Sequence, residues 1–229
     1  MPSRATILLF DIDGTLLLTG GAGRRSFERA FKELTGRPDA LSGFSFGGMT
    51  DRGIAREGLC ALGREVDEAL VDQLFVHYLA ALADELVTSN YTIMPGVHDV
   101  LGSLKDRSGV AVGLGTGNLR RGAEAKLQKG GLWESFGFGG FGCDHEERSE
   151  LLRKGAERGA ASLDCTLSEC RVVVIGDTVR DVTAAHAIGA ICVGVETGGV
   201  SRDVLSAAGA HVVYKDLTES GVLESLLRV

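Results

Sequence analysis

Four short apolar runs constrain this chain more than any other feature. Residues 5–10 (ATILLF), 110–114 (VAVGL), 172–175 (VVVI) and 191–195 (ICVGV) are apolar almost throughout, with no polar alternation. They suit strands buried on both faces of a parallel sheet. Between them the apolar spacing becomes helical, over residues 120–129, 150–158, 179–188 and 204–208. A Gly-rich strand is expected at 136–141 and a last short strand at 211–213. Strand–helix alternation of this kind implies right-handed crossovers and a parallel sheet covered on both faces. The expected fold class is therefore α/β, a doubly wound parallel sheet.

One stretch breaks the rhythm. From about Gly20 to Asn90 every apolar pattern is helical. Phe27, Ala30, Phe31 and Leu34 mark one helix, Ile54, Leu59 and Leu62 a second. A third, long helix carries Leu70, Leu74, Tyr78, Leu82 and Leu86. The expected organisation is an α/β core of residues 1–19 and 91–229, with residues 20–90 inserted as a helical unit after the first strand.

Ligands of open α/β sheets bind beyond the carboxyl ends of the strands. The first run is followed by Asp11, Asp13, Gly14 and Thr15. The second is followed by Gly115, Thr116, Gly117 and Asn118, and the third by Gly176, Asp177, Thr178 and Asp181. Taken singly, each is unremarkable: a solvated turn, or an Asp or Thr capping the next helix. Asp181 alone would suit the positive end of a helix dipole. Three such loops on one sheet edge suit a single task. Carboxylates bind a hard cation such as Mg²⁺ through oxygen. Gly, Thr and Asn offer donors to a phosphate. One carboxylate can attack phosphorus while a second moves protons.

In this order and spacing, "DIDGTL", "GTGN" and "GDTVRD" resemble the haloacid dehalogenase-like superfamily, nearest its phosphoglycolate phosphatase-like members with a helical cap. The resemblance covers nearly the whole chain and implies a Rossmann-like core. It implies that Asp11 is the nucleophile and Asp13 the general acid and base, with the Asp13 main-chain carbonyl on the metal. Asp177 would ligate Mg²⁺, with Asp181 ligating directly or through water. Thr116 would hold the transferring phosphoryl oxygens, with Gly14, Thr15, Gly117 and Asn118 around them. Residues 20–90 sit where that family carries its cap. "GGMTDRG" (residues 47–53) looks like the cap segment that leans over the site, so that Thr50, Asp51 and Arg52 either touch substrate or cap the following helix.

The family usually carries a lysine in its third motif. The matching region here reads "CDHEERSELLRKGAERG". Arg148 is the best-placed substitute, ahead of Arg153 and Lys154, which fall further into the helix. The implied reaction is Mg²⁺-dependent hydrolysis of a small phosphorylated metabolite through an aspartyl-phosphate. The rivals are a sugar phosphomutase on the same core and a non-catalytic binding protein on this fold. Dehalogenation is disfavoured by Asp13.

Composition narrows the setting. Net charge is −7 and no Lys/Arg cluster appears, which argues against nucleic-acid binding. No apolar stretch approaches a transmembrane span. Five cysteines without a CxxC pair suggest thiols in a reducing compartment rather than a zinc site. A cytoplasmic protein, monomeric or homodimeric, is expected.

Overall fold

The computed structural model describes residues 5–228. Residues 1–4 and 229, which the sequence division assigns to the core, lie outside the described residues. Six strands form one parallel sheet: β1 (Ala5–Phe10), β4 (Val110–Gly115), β5 (Phe138–Gly140), β6 (Cys170–Gly176), β7 (Ile191–Val195) and β8 (Val212–Tyr214), in the order β5-β4-β1-β6-β7-β8. The chain runs outward from β1 through β4 to β5, then returns to the other side of β1 with β6. The switch of direction lies at β1, between β4 and β6, and opens a crevice at their carboxyl ends.

The unbroken apolar runs follow from burial on both faces. Leu8 and Phe10 of β1 pack with α4 (Val97–Leu104), α5 (Arg120–Lys129) and α9 (Val222–Arg228). Ile7 and Leu9 face the other way, into the layer of α6 (Arg148–Ser162), α7 (Val179–Ala187) and α8 (Arg202–Ala207). β6 divides likewise, with Val173 and Ile175 on one side and Val174 on the other.

The inserted segment forms three helices, α1 (Ala22–Thr35), α2 (Asp51–Ala61) and α3 (Glu68–Thr88), with an apolar core of their own. Phe27 of α1 stacks on Tyr78 of α3 with ring centroids 4.0 Å apart. Both chain crossings into this unit are tied together. β2 (Leu17–Leu18) pairs antiparallel with β3 (Thr92–Ile93), a ribbon too short to have a sequence signature. Among the described residues no helix is long and apolar enough to cross a membrane.

The Gly-rich strand β5 has a packing reason. A Cβ on Gly140 would fall on the Leu151 carbonyl of α6, and one on Gly155 would crowd the Gly140 nitrogen. Two glycines therefore let α6 lie against β5 at backbone contact, and this fixes the depth at which α6 begins, at Arg148. Gly140→Ala is expected to push α6 outward and cost about 1–3 kcal/mol of stability, read from urea unfolding. Unchanged stability would contradict this account of β5.

Candidate active site

The three strand-end loops converge at the switch point. The Asp11 N–H donates to the Ile175 carbonyl at 2.9 Å, so the first loop continues alongside β6 after β1 ends. Gly14 then turns with φ +88°, and any side chain there would collide with Asp177. The Thr15 hydroxyl donates to Asp177 Oδ1 at 2.9 Å. Thr178 caps α7 and forms a capping box with Asp181, whose Oδ2 accepts from the Thr178 N–H (3.0 Å) and hydroxyl (2.6 Å). The capping and dipole readings of Thr178 and Asp181 thus hold locally, and the same contacts aim the other Asp181 oxygen inward.

Asp11, Asp177 and Asp181, all buried, bring carboxylate oxygens within 4.8 Å of one another. Arg148 enters from the first turn of α6. Its Nη2 lies 3.0 Å from Asp11 Oδ2 and 2.6 Å from Asp181 Oδ1, and its Nε donates to Asp181 Oδ1 at 2.9 Å. Arg153 and Lys154 instead pair with Glu150 and Glu157 on the surface of the same helix. Burial resists the Arg148 charge, but Asp11 and Asp181 outweigh it and raise its pKa.

One arginine does not neutralise three carboxylates. Burial, reinforced by Asp181 and Asp13 against the pull of Arg148, raises Asp11 to about 6. Burial, then Asp181 and Asp11, raises Asp177 to about 8. Three buried carboxylate oxygens with charge still to be balanced fit a hard divalent cation. The Asp13 carboxylate lies outside this cluster. It is half-exposed and turned toward the β4 side, where Lys126 Nζ contacts its two oxygens at 2.9 and 2.6 Å and Asn118 Nδ2 donates to it at 2.8 Å.

Thr116 is fully buried at the end of β4, its N–H bonded to the Gly140 carbonyl at 3.0 Å. Its hydroxyl oxygen accepts from the Asn118 N–H (3.3 Å) and Nδ2 (2.8 Å), so its own proton is what it can offer a ligand. At Gly117 a Cβ would strike the Met49 carbonyl of the inserted unit.

The "GGMTDRG" segment lies directly on the core. The Asp51 N–H donates to the Gly117 carbonyl, and Asp51 Oδ2 accepts from the Leu119 N–H, each at 2.8 Å. Arg148 reaches the Gly48 carbonyl at 3.3 Å, and Arg180 donates to that of Gly47. Thr50 caps α2 by accepting from the Gly53 N–H at 3.1 Å and donates to the Glu146 carbonyl. Arg52 turns away from the site to Glu68 and the Phe75 ring. Of the three residues singled out in this segment, Asp51 alone lines the cavity of about 310 Å³ between the inserted unit and the core. Burial raises its pKa to about 6, against the pull of Lys126.

One cavity residue escapes sequence reasoning. Lys126 is almost wholly buried, on the α5 face shared with Gly122 and Ala123. That phase was the available signal, because a lysine on the inward side of a helix needs a partner. Arg24, for which the sequence allows a reach into the site but favours surface placement, lines the cavity while staying partly exposed, with its guanidinium 4.0 Å from the Phe46 ring centroid.

A buried carboxylate cluster at the switch point of a doubly wound sheet, under an inserted helical unit, lies where ligands of this architecture bind. The haloacid dehalogenase-like hydrolase family model matches residues 5–189, and the chain belongs to that family. A phosphoglycolate phosphatase of Synechococcus elongatus is 33% identical over 120 residues, which are 51% of this chain and 51% of that protein. The chain thus matches about half the length of this curated relative. CbbY from Rhodobacter sphaeroides, solved in complex with phosphate, superposes with a TM-score of 0.71 at 19% identity, covering 99% of this chain and 100% of that one. A hydrolase from Pseudomonas syringae superposes with a TM-score of 0.70 at 21% identity, covering 93% and 94%. At these identities the structures share the fold.

Asp11 and Asp177 carry raised pKa values, so the cation-free fold holds protons that the unfolded chain has lost. That stabilises the cation-free fold below the ordinary carboxylate range, and the benefit fades as pH rises through about 6 and then about 8. A divalent cation needs both groups ionised. The rise in melting temperature on adding MgCl2 is therefore expected to grow between about pH 5 and about pH 8.5. A rise that is larger at the acidic end would contradict a cation site at this cluster.

Proposed function

We propose that the protein is a Mg²⁺-dependent phosphomonoesterase acting through an aspartyl-phosphate on Asp11. The observation that carries this reading is the buried Asp11–Asp177–Asp181 cluster, with Arg148 on the nucleophile and a second aspartate, Asp13, held apart from it. Mg²⁺, held by Asp11, Asp177, Asp181 and the Asp13 carbonyl, would neutralise charge on the transferring phosphoryl group.

The chain's own residues supply the rest. An Asp11 carboxylate oxygen attacks phosphorus, and the bond to the leaving oxygen breaks. Asp13 gives that oxygen its proton, and the alcohol departs. Asp13, now a carboxylate, takes a proton from water as the water attacks the phosphorus of the aspartyl-phosphate. Asp11 is restored and inorganic phosphate leaves. Thr116 donates its hydroxyl to a phosphoryl oxygen, supported by Asn118 and the loop backbone at Gly14, Thr15 and Gly117. Arg148 orients Asp11 and faces the phosphoryl group with its guanidinium.

Residues 20–90 act in this reading as a cap over a core of 1–19 and 91–229. The cavity lined from both parts supports this, as do the contacts of Gly47, Gly48, Thr50 and Asp51 with the core. A closed cap excludes water from the first step and must reopen to release product. The cavity volume and the likeness to a phosphoglycolate phosphatase favour a small phosphorylated metabolite as substrate.

Asp11→Asn is expected to lower kcat for an aryl phosphate by about a thousandfold or more. EDTA is expected to abolish the wild-type rate and added Mg²⁺ to restore it. Wild-type hydrolysis by the Asp11→Asn protein would reject the mechanism.

A further inference from the structure

Lys126 has no part in the chemistry above, yet it is the most deeply buried lysine among the described residues and its ammonium lies at the active-site cavity. Its backbone is pinned, with the Lys126 carbonyl accepting from the Tyr91 hydroxyl at 2.8 Å. Its Nζ contacts Asp13 Oδ1 at 2.9 Å, Asp13 Oδ2 at 2.6 Å and Asn118 Oδ1 at 2.6 Å. An ammonium has three donors. All three are directed to protein acceptors, so none is left for a substrate phosphate.

Asn118 completes the arrangement. Its Oδ1 takes the lysine, while its Nδ2 donates to Asp13 Oδ2 and to the Thr116 hydroxyl. Two groups from the β4–α5 segment thus grip one Asp13 carboxylate from one side. Arg148 holds Asp11 separately, out of the first turn of α6. The two aspartates stand one residue apart in sequence, and two cations on different elements hold their carboxylates.

We infer that Lys126 is a positioning residue for Asp13: it fixes the orientation from which Asp13 delivers a proton to the leaving oxygen, and it does not bind the phosphoryl group. The inference rests on the assignment of Asp13 as general acid. Leaving-group acidity then separates the roles. 4-Nitrophenyl phosphate releases a weakly basic phenolate that needs little protonation, whereas phenyl phosphate has a similar shape and releases a more basic one. A misdirected Asp13 should harm the second substrate more.

Lys126→Met is expected to lower kcat/KM, which reports phosphoryl transfer to Asp11 and not the later hydrolysis, about tenfold more for phenyl phosphate than for 4-nitrophenyl phosphate. Lys126→Arg should recover part of the lost selectivity. In an Asp13→Asn background Lys126→Met should add little further loss, because the residue it positions is already disabled. Equal falls in kcat/KM on the two substrates would overturn the inference. If circular dichroism shows that Lys126→Met does not fold, Lys126→Gln carries the same comparison with similar length and no charge. Failure of the wider reading is separable. Full hydrolysis by Asp11→Asn would remove the phosphatase mechanism itself. Loss of hydrolysis in Asp11→Asn, together with equal falls in Lys126→Met, would remove the role of Lys126 alone.

Discussion

The site depends on one buried arginine. Arg148 touches Asp11 and Asp181 together and reaches the Gly48 carbonyl of the inserted unit. Carboxylates this close and this buried repel each other, and burial draws Asp11 and Asp177 toward their protonated forms. Arg148 offsets part of that repulsion and leaves a remainder suited to a divalent cation. Its position depends in turn on the sheet, because α6 can start at this depth only while Gly140 and Gly155 let it lie against β5. Gly140, whose carbonyl also takes the Thr116 N–H, and Gly155 therefore bear on where Arg148 meets Asp11.

The paired aspartates have a physical resolution. Asp11 continues the line of β1 into the buried cluster, whereas Asp13 lies past the end of the strand and is half-exposed. They belong to two charge systems, one centred on Arg148 and the other on Lys126. A residue in the first can serve as a nucleophile beside a cation. A residue in the second remains open to the cavity, where a proton donor and acceptor has to work. The helical unit reaches the site through the Gly47–Asp51 backbone and the Asp51 carboxylate, so its seating on the core and the geometry of the site are linked.

Much of this was legible in the sequence because burial on both faces leaves a plain mark. The apolar runs at 5–10, 172–175 and 191–195 fall on β1, β6 and β7, and the loops after β1, β4 and β6 meet at the switch point. Arg148 was legible by its distance from Thr116 and its place at a helix start. Other features were not. The β2–β3 ribbon has two residues per strand, below any periodicity, and α9 follows a turn-rich tail whose pattern is weak. Lys126 was hidden because a cationic helix surface looks the same in sequence whether it meets solvent or a buried carboxylate; only its phase with Ala123 distinguished it. In "TDR" the neighbours part company: Thr50 caps, Asp51 faces the cavity and Arg52 turns outward, which follows from where α2 begins. Arg24 reaches the cavity because Phe46, on a loop far along the chain, supplies a ring for it to rest on.

The central claim is that Asp11 carries the phosphoryl group during turnover. The most direct measurement is a rapid acid quench of the protein reacting with 4-nitrophenyl phosphate and Mg²⁺, followed by peptide mass analysis. The account predicts the added mass of one phosphoryl group on the peptide that contains Asp11, lost on treatment with hydroxylamine and absent in Asp11→Asn. Active turnover with the phosphoryl group found on another residue would contradict it.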